Sequence, residues 1–488
     1  MKRIVDALGK MNRGKRDCAV LVLCAMTTMA LPAQTVTTLF RFDGSDGSAP
    51  NALIQGTDGN LYGTAGYGAM NNTFGTVFKI TPSGTLTTLY VFCTDFPVCA
   101  DGGNPFAGLV QATNGSFYGT TYSGGAYGQG TVFKITPSGA LTTLYSFCPQ
   151  TGCIDGADPA AALVQATNGY LYGTAQSGGA NNFGTVFRIT PSGTLTTLYS
   201  FCAQSGCTDG AQPDAGLVQA TNGNLYGTTA GGGANGYGTV FKITPSGTLT
   251  GLHSFCSQNG CRDGAQPSGG LVQATNGSFY GTTPKGGAHG YGTVFRITPS
   301  GALATLHSFC AEAGCADGAN PSAGLIQATD GDFYGTASTG GANGYGTVFR
   351  ITPSGALTTL YSFCSQSACT DGEYPVTGLV QDTNGELYGT TSGGGANLYY
   401  GTVFSLSLGL GPFVEIQPTS GKAGAAVKIL GTNLTGATSV TFNGGAAVFK
   451  VVSSSEIATI VPTGATTGTV QVVTPSGTLS SNVAFRVP

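Results

Sequence analysis

Six Asp-Gly pairs in this 488-residue chain stand two residues after a cysteine, at Asp101, Asp155, Asp209, Asp263, Asp317 and Asp371. Asp46 takes the same place in an earlier, cysteine-free stretch. Carboxylates that recur at one point of a repeated unit are gathered on one face of a fold, where they could hold a cation or accept hydrogen bonds from sugar hydroxyls. The competing role is local, with each side chain bonding backbone N–H groups of its own turn. No stretch has the ligand spacing of a calcium loop, and only Asp43 with Asp46 hints at one.

A second series consists of Asn181, Asn235, Asn343 and Asn397, with Asn71 in the first unit and Tyr127 and His289 replacing the amide elsewhere. Phe74, Phe183, Tyr237, Tyr291, Tyr345 and Tyr400 stand just before the glycine of a recurring GTVF. A flat ring beside an amide is the chemistry of sugar recognition. The same residue types also serve turns, because asparagine tolerates left-handed backbone, and they serve packing between units. An active site must break the repeat. Arg262, Lys285 and His289 do so by bringing three ionisable groups to one unit. His253 and His307 only replace the tyrosine of a recurring LYSF and read as structural. Gln55, Gln111, Gln165, Gln219, Gln273, Gln327 and Gln381 recur on the first strand of each unit, where cross-unit hydrogen bonding is expected.

Other signatures are missing from the sequence. It has no nucleophile–base pair, no carboxylates at catalytic spacing, no glycine-rich phosphate loop, no metal triad and no GxSxG elbow. No cofactor or metal is expected, and binding is favoured over catalysis. Charged residues make up 8 % and the net charge is −3, which gives no basis for contact with nucleic acid or an anionic membrane. There are 81 glycines, 21 tyrosines and 26 phenylalanines, a composition suited to short strands and tight turns.

The elements that position these residues follow from the period. GTVF begins at Gly75, Gly130, Gly184, Gly238, Gly292, Gly346 and Gly401, in steps of 54 or 55 residues. Each unit holds four strand-like pieces: A (GLVQ), B (LYGT), C (TVFKI) and D (LTTLYSF). An Asn-Gly turn joins A to B and a Pro-Ser-Gly turn joins C to D. The last unit lacks strand D, and a surplus copy, QTVTTLFRF, stands at Gln34–Phe42. Pairing that copy with the last strand C would leave no raw edge. The expected fold is all-β: a seven-bladed β-propeller over 34–408 whose last blade is closed by the N-terminal strand, followed by an immunoglobulin-like β-sandwich over 412–488. The D–A and B–C loops share one face, which carries the aspartates, the asparagines and Arg262, Lys285 and His289.

Residues 1–33 read as a signal peptide, with a basic start and an apolar core, Cys18 to Leu31, too short to span a membrane comfortably. Outside it the cysteines form six local pairs, Cys93/Cys99, Cys148/Cys153, Cys202/Cys207, Cys256/Cys261, Cys310/Cys315 and Cys364/Cys369. In an exported chain such pairs read as disulfides, and zinc is disfavoured because no histidines lie beside them.

The unit GTVFKITPSG…LYSF…DGxxPxxGLVQATNGxxYGTT resembles the GloVer tandem repeat of exported "choice-of-anchor" proteins, a resemblance that implies no catalytic residues. The tail, with PTSGKAGAAVKILGTNL, SVTFNG and IVPTGATTGTVQVVTPSG, is similar to the IPT/TIG domain, which implies a spacer or interaction module. The expectation is a secreted, periplasmic or cell-surface binding protein, non-enzymatic, with no membrane span after signal cleavage. Its partner would be an extracellular glycan or a surface protein. The alternatives are a polysaccharide lyase or hydrolase using Arg262, Lys285 and His289, and a purely structural envelope protein.

Overall fold

The computed structural model describes residues 34–68, 74–396 and 399–488. The expected signal peptide, Asn71 and Asn397 therefore lie outside the described residues. Regular structure among those described is almost entirely β-strand, with four one-turn 3-10 helices in the cysteine loops. The fourth repeat is typical. Strands Val218–Gln219, Leu225–Thr229, Thr239–Ile243 and Leu249–Ser254 pair antiparallel in that order. Strand B is buried along its whole length, which is why LYGTT shows no polar alternation. Strand A has only two residues, fewer than its sequence suggests. The Asn222-Gly223 turn follows it closely, and the side chain of Gln219 bonds the preceding unit instead of extending the ladder. The turn is locked from within, since Asn222 Nδ2 donates to the Tyr226 hydroxyl at 2.9 Å and Asn222 Oδ1 accepts from Asn224 N–H at 3.0 Å.

Seven such sheets form, and the seventh is completed by the N-terminus. Thr35–Arg41 pairs antiparallel with Thr402–Ser407, from Thr35 opposite Ser407 to Arg41 opposite Thr402. A register shift at Thr38/Phe40 matches the one at Thr143/Tyr145 in the second unit, so the N-terminal strand carries the same bulge as an internal strand D.

Three kinds of contact repeat between neighbouring sheets, including between the seventh and the first. A strand-D phenylalanine meets the strand-C phenylalanine of the next sheet edge-on, with centroids 5.1–5.4 Å apart, in seven pairs from Phe92/Phe133 to Phe363/Phe404 and Phe42/Phe78. Burying one such ring stabilises by roughly 1.5–3 kcal/mol, with about 0.5–1.5 kcal/mol more for the edge-on geometry. The seven strand-A glutamines each accept, through Oε1, a threonine N–H of the preceding unit at 2.8–3.1 Å, ending with Thr383 N–H on Gln55. The residue before each loop proline donates its N–H to the carbonyl of the residue before the preceding unit's GTVF glycine, from Asn104 on Phe74 to Ala49 on Tyr400.

The C-terminal module has two four-stranded sheets. One is ordered Glu415–Gln417, Ala426–Leu430, Glu456–Ile460, Phe449–Val451, and the other Gly445–Ala446, Ser439–Phe442, Val470–Thr474, Gly477–Ser480. They share a core that includes Val414, Ile429, Phe442, Val472 and Phe485. The module touches the repeats where Ser455 Oγ donates to the Thr57 carbonyl at 2.8 Å and where the Thr383 and Thr432 hydroxyls meet at 3.0 Å.

Candidate functional site on the loop-bearing face

Six of the seven D–A loops are framed by a disulfide and a carboxylate, the loop of Asp46 having no cysteine. All six expected pairs are bonded, Cys93–Cys99, Cys148–Cys153, Cys202–Cys207, Cys256–Cys261, Cys310–Cys315 and Cys364–Cys369. Asp209 is typical of the aspartates. Its Oδ2 accepts from the Tyr199 hydroxyl at 2.8 Å and from Ala203 N–H at 3.0 Å, and its Oδ1 accepts from Gln204 N–H at 3.2 Å. Asp101, Asp155 and Asp371 are held by Tyr90, Tyr145 and Tyr361 in the same way, and Asp263 and Asp317 by His253 and His307. Burial opposes the ionisation of Asp263, but hydrogen bonds from Ser257, His253 and Gln258 outweigh it and hold the pKa below the usual value. These carboxylates therefore brace the loop against strand D.

The asparagines brace the B–C loops. Asn181, Asn235 and Asn343 donate Nδ2 to the carbonyls of Phe201, Phe255 and Phe363 at 3.0–3.1 Å. Phe183, Tyr237 and Tyr291 remain 41–46 % exposed at the loop surface. Arg262, Lys285 and His289 are exposed. A backbone bridge between Ala265 and Lys285 brings the loops of Arg262 and Lys285 together, yet among the described residues no side-chain bond links the three groups.

A different sector breaks the repeat more deeply. After the loop proline stand Phe106 in the second unit and Asp214 in the fourth, where other units carry Asn51, Ala160, Ser268, Ser322 and Val376. After strand B stand Tyr122 and Gln176, where others carry Gly66, Ala230, Pro284, Ser338 and Ser392. The Phe106 ring packs on Tyr122 at 5.6 Å and on Tyr67 at 5.4 Å between centroids. Asp214 bonds the Gln176 side chain, while its Oδ1 is buried with no partner. Burial pushes the Asp214 pKa up to about 6. Asp158 is also raised by burial, against a bond from Ser177. The Tyr122 phenol is raised by burial first and then by the charges of Asp158 and Asp214, which places all three groups in one neighbourhood. Sequence reasoning passed over this sector because it followed positions the units share. Aligning the units against one another and reading the exceptions would have found it.

Seven like sheets, six of them with a disulfide-framed loop, followed by a two-sheet module, define an all-β repeat protein. The pattern of the Gloeobacter/Verrucomicrobia repeat matches residues 25–221, 95–263, 155–316 and 218–448, and that of the IPT/TIG domain matches 413–487. The chain belongs to the Gloeobacter/Verrucomicrobia repeat family and carries a C-terminal IPT/TIG domain. No curated protein matches it in sequence. Among solved structures it is similar to a fungal alcohol oxidase of the AA5 family in complex with copper, at 13 % identity and TM-score 0.50, covering 93 % of this chain and 98 % of that one. Extracellular domains of two hybrid two-component systems from B. thetaiotaomicron match at TM-score 0.49 with 12 % and 11 % identity, covering 76 % and 88 % of this chain. The chain spans 39 % and 50 % of those two proteins.

Proposed function

We propose that this is an exported, non-enzymatic binding protein whose seven sheets are the blades of a closed seven-bladed β-propeller and whose loop-bearing face recognises an extracellular carbohydrate. Six disulfides suit an oxidising compartment, in keeping with a secreted, periplasmic or cell-surface location. Closure is supported by sheet-to-sheet contacts of one kind at every junction, the seventh-to-first included, because an open array would leave its terminal members without them. The observation that carries the ligand class is the sector at Phe106, Tyr122, Gln176 and Asp214. Packed rings lie in the neighbourhood of an amide–carboxylate pair, which together offer a sugar both an aromatic face and hydroxyl partners. Domain limits of 34–408 and 412–488 belong to the same reading. The test is a glycan array with the secreted chain, alongside Tyr122→Ala and Asp214→Ala. Binding by the wild type that both variants lose is the expected result. A folded wild type that binds no glycan removes the carbohydrate reading.

A further inference from the structure

A cavity of about 590 Å³ lies where the C-terminal module meets the A strands of the repeats, lined by none of the loop residues described above. Gln273, Gln327 and Gln381 line it, and Val272, Ile326 and Val380 give it apolar patches. The module contributes Glu415 and Gln417 from one strand. The glutamines are already engaged. Gln273 Oε1 accepts from Thr221 N–H at 2.8 Å, and its Nε2 donates to the Gly277 carbonyl at 3.3 Å.

Glu415 differs from the rest of the lining. Among the described residues its carboxylate has a single side-chain hydrogen bond, a long one from Gln417 Nε2 at 3.4 Å to Oε1. The nearby strand's lysine, Lys428, pairs instead with Glu456 at 3.4 Å. Among the described residues Glu415 has no basic partner. Burial raises its pKa above the usual carboxylate value, the Gln417 bond opposes this, and the charge of Asp382 adds to it. A partly buried carboxylate without a counterion, facing a cavity, calls for a ligand that brings donors and positive charge.

We infer that the cavity binds a small organic cation, with its ammonium group on Glu415 and its alkyl part against Val272, Ile326 and Val380. A bare divalent ion fits less well. It takes about six to eight oxygen ligands, usually with several carboxylates, and the described residues hold no group of three metal-ligating side chains. A neutral polyol would leave the charge of Glu415 uncompensated.

The experiment is isothermal titration of the full chain at neutral pH with 1,4-diaminobutane, repeated with calcium chloride and with glucose, on the wild type and Glu415→Gln. The isosteric amide removes the charge without changing shape. The expected result is saturable diamine binding that weakens at least about tenfold in E415Q, a loss of about 1.4 kcal/mol, with neither calcium nor glucose competing. A folded wild type that does not bind the diamine overturns the inference, as does equal affinity in E415Q or displacement by calcium. If E415Q does not fold, Glu415→Asp keeps the charge but withdraws it by one methylene. Weaker diamine binding in E415D then supports the assignment, and unchanged binding contradicts it.

Discussion

Gln55 Nε2 lies 2.7 Å from Asp382 Oδ1, joining the first sheet to the seventh across 327 positions of sequence. In other units the equivalent nitrogen donates to a carbonyl of its own turn, as Gln219 does to Gly223, and the residue matching Asp382 is Gly56 in the first unit and an alanine such as Ala220 in the rest. A charge-assisted bond thus stands between the two ends of the repeat array, beside the pairing of Thr35–Arg41 with Thr402–Ser407.

That bond carries a pH signature. Asp382 is 2 % exposed and its Oδ2 has no partner. Burial raises its pKa from 3.8 to about 6, against the bonds from Asn384, Thr383 and Gln55. The folded state binds this proton more tightly than the unfolded state. The group's contribution is therefore fully present below the unfolded value and is lost as pH rises through about 6. Urea titrations should show the wild type losing on the order of 2–3 kcal/mol relative to Asp382→Asn across that window. A constant difference between the two proteins would refute the assignment.

Gly238 illustrates why a glycine begins every GTVF. Its φ is +94°, and a Cβ there would run into the Thr229 carbonyl oxygen and lie 2.9 Å from Cδ of Pro267 in the next loop. Neither a strand carbonyl nor a proline ring can move aside. G238A should cost more than about 2 kcal/mol in chemical denaturation. G236A, at φ +79° with open space around it, should cost only about 1 kcal/mol. Equal costs would show that close approach of the next unit is not the constraint.

His253 holds Asp263 through Nε2 at 3.0 Å, as Tyr199 holds Asp209 through its hydroxyl at 2.8 Å. The roles are interchangeable if both serve only as donors. H253Y should change stability by less than about 0.5 kcal/mol, while H253F should cost about 1–3 kcal/mol by depriving a buried carboxylate of a donor. A large loss in H253Y would point to a function specific to the imidazole.

Carbohydrate binding, once a ligand is in hand, should depend on Asp214 in its charged form. With its pKa raised to about 6 by burial, the carboxylate loses acceptor capacity as pH falls through that value. Affinity should weaken on acidification in the wild type and stay flat in D214N. An identical pH profile in both would place the ligand elsewhere.

Much of the architecture is written in the repeat. The GTVF period marks seven equivalent strands, the displaced QTVTTLFRF foretells the pairing with Thr402–Ser407, and the cysteine spacing foretells the disulfides. The glutamines of strand A sit where cross-unit bonding predicts them. Other features escape a linear reading for physical reasons. Strand A is short because its glutamine side chain turns to a neighbouring unit, a contact between residues some 52 apart. Ser48–Pro50 forms an added strand against Leu61–Tyr67 in the first unit alone. Phe106, Tyr122, Gln176 and Asp214 lie in different loops and meet only after folding. Glu415 becomes notable only when the module and the repeats enclose a cavity between them.

The proposed closed ring is tested most directly by a cross-link between the N-terminal strand and the last sheet. Thr37 and Ser405 are cross-strand partners. In the double variant Thr37→Cys/Ser405→Cys, non-reducing peptide mapping of the oxidised, folded chain should recover a 37–405 disulfide beside the six native ones. The melting temperature should rise because the link spans nearly the whole repeat array. Recovery of the native disulfides without the 37–405 link would mean that the N-terminal strand does not pair with the last sheet, and the closed ring would fall.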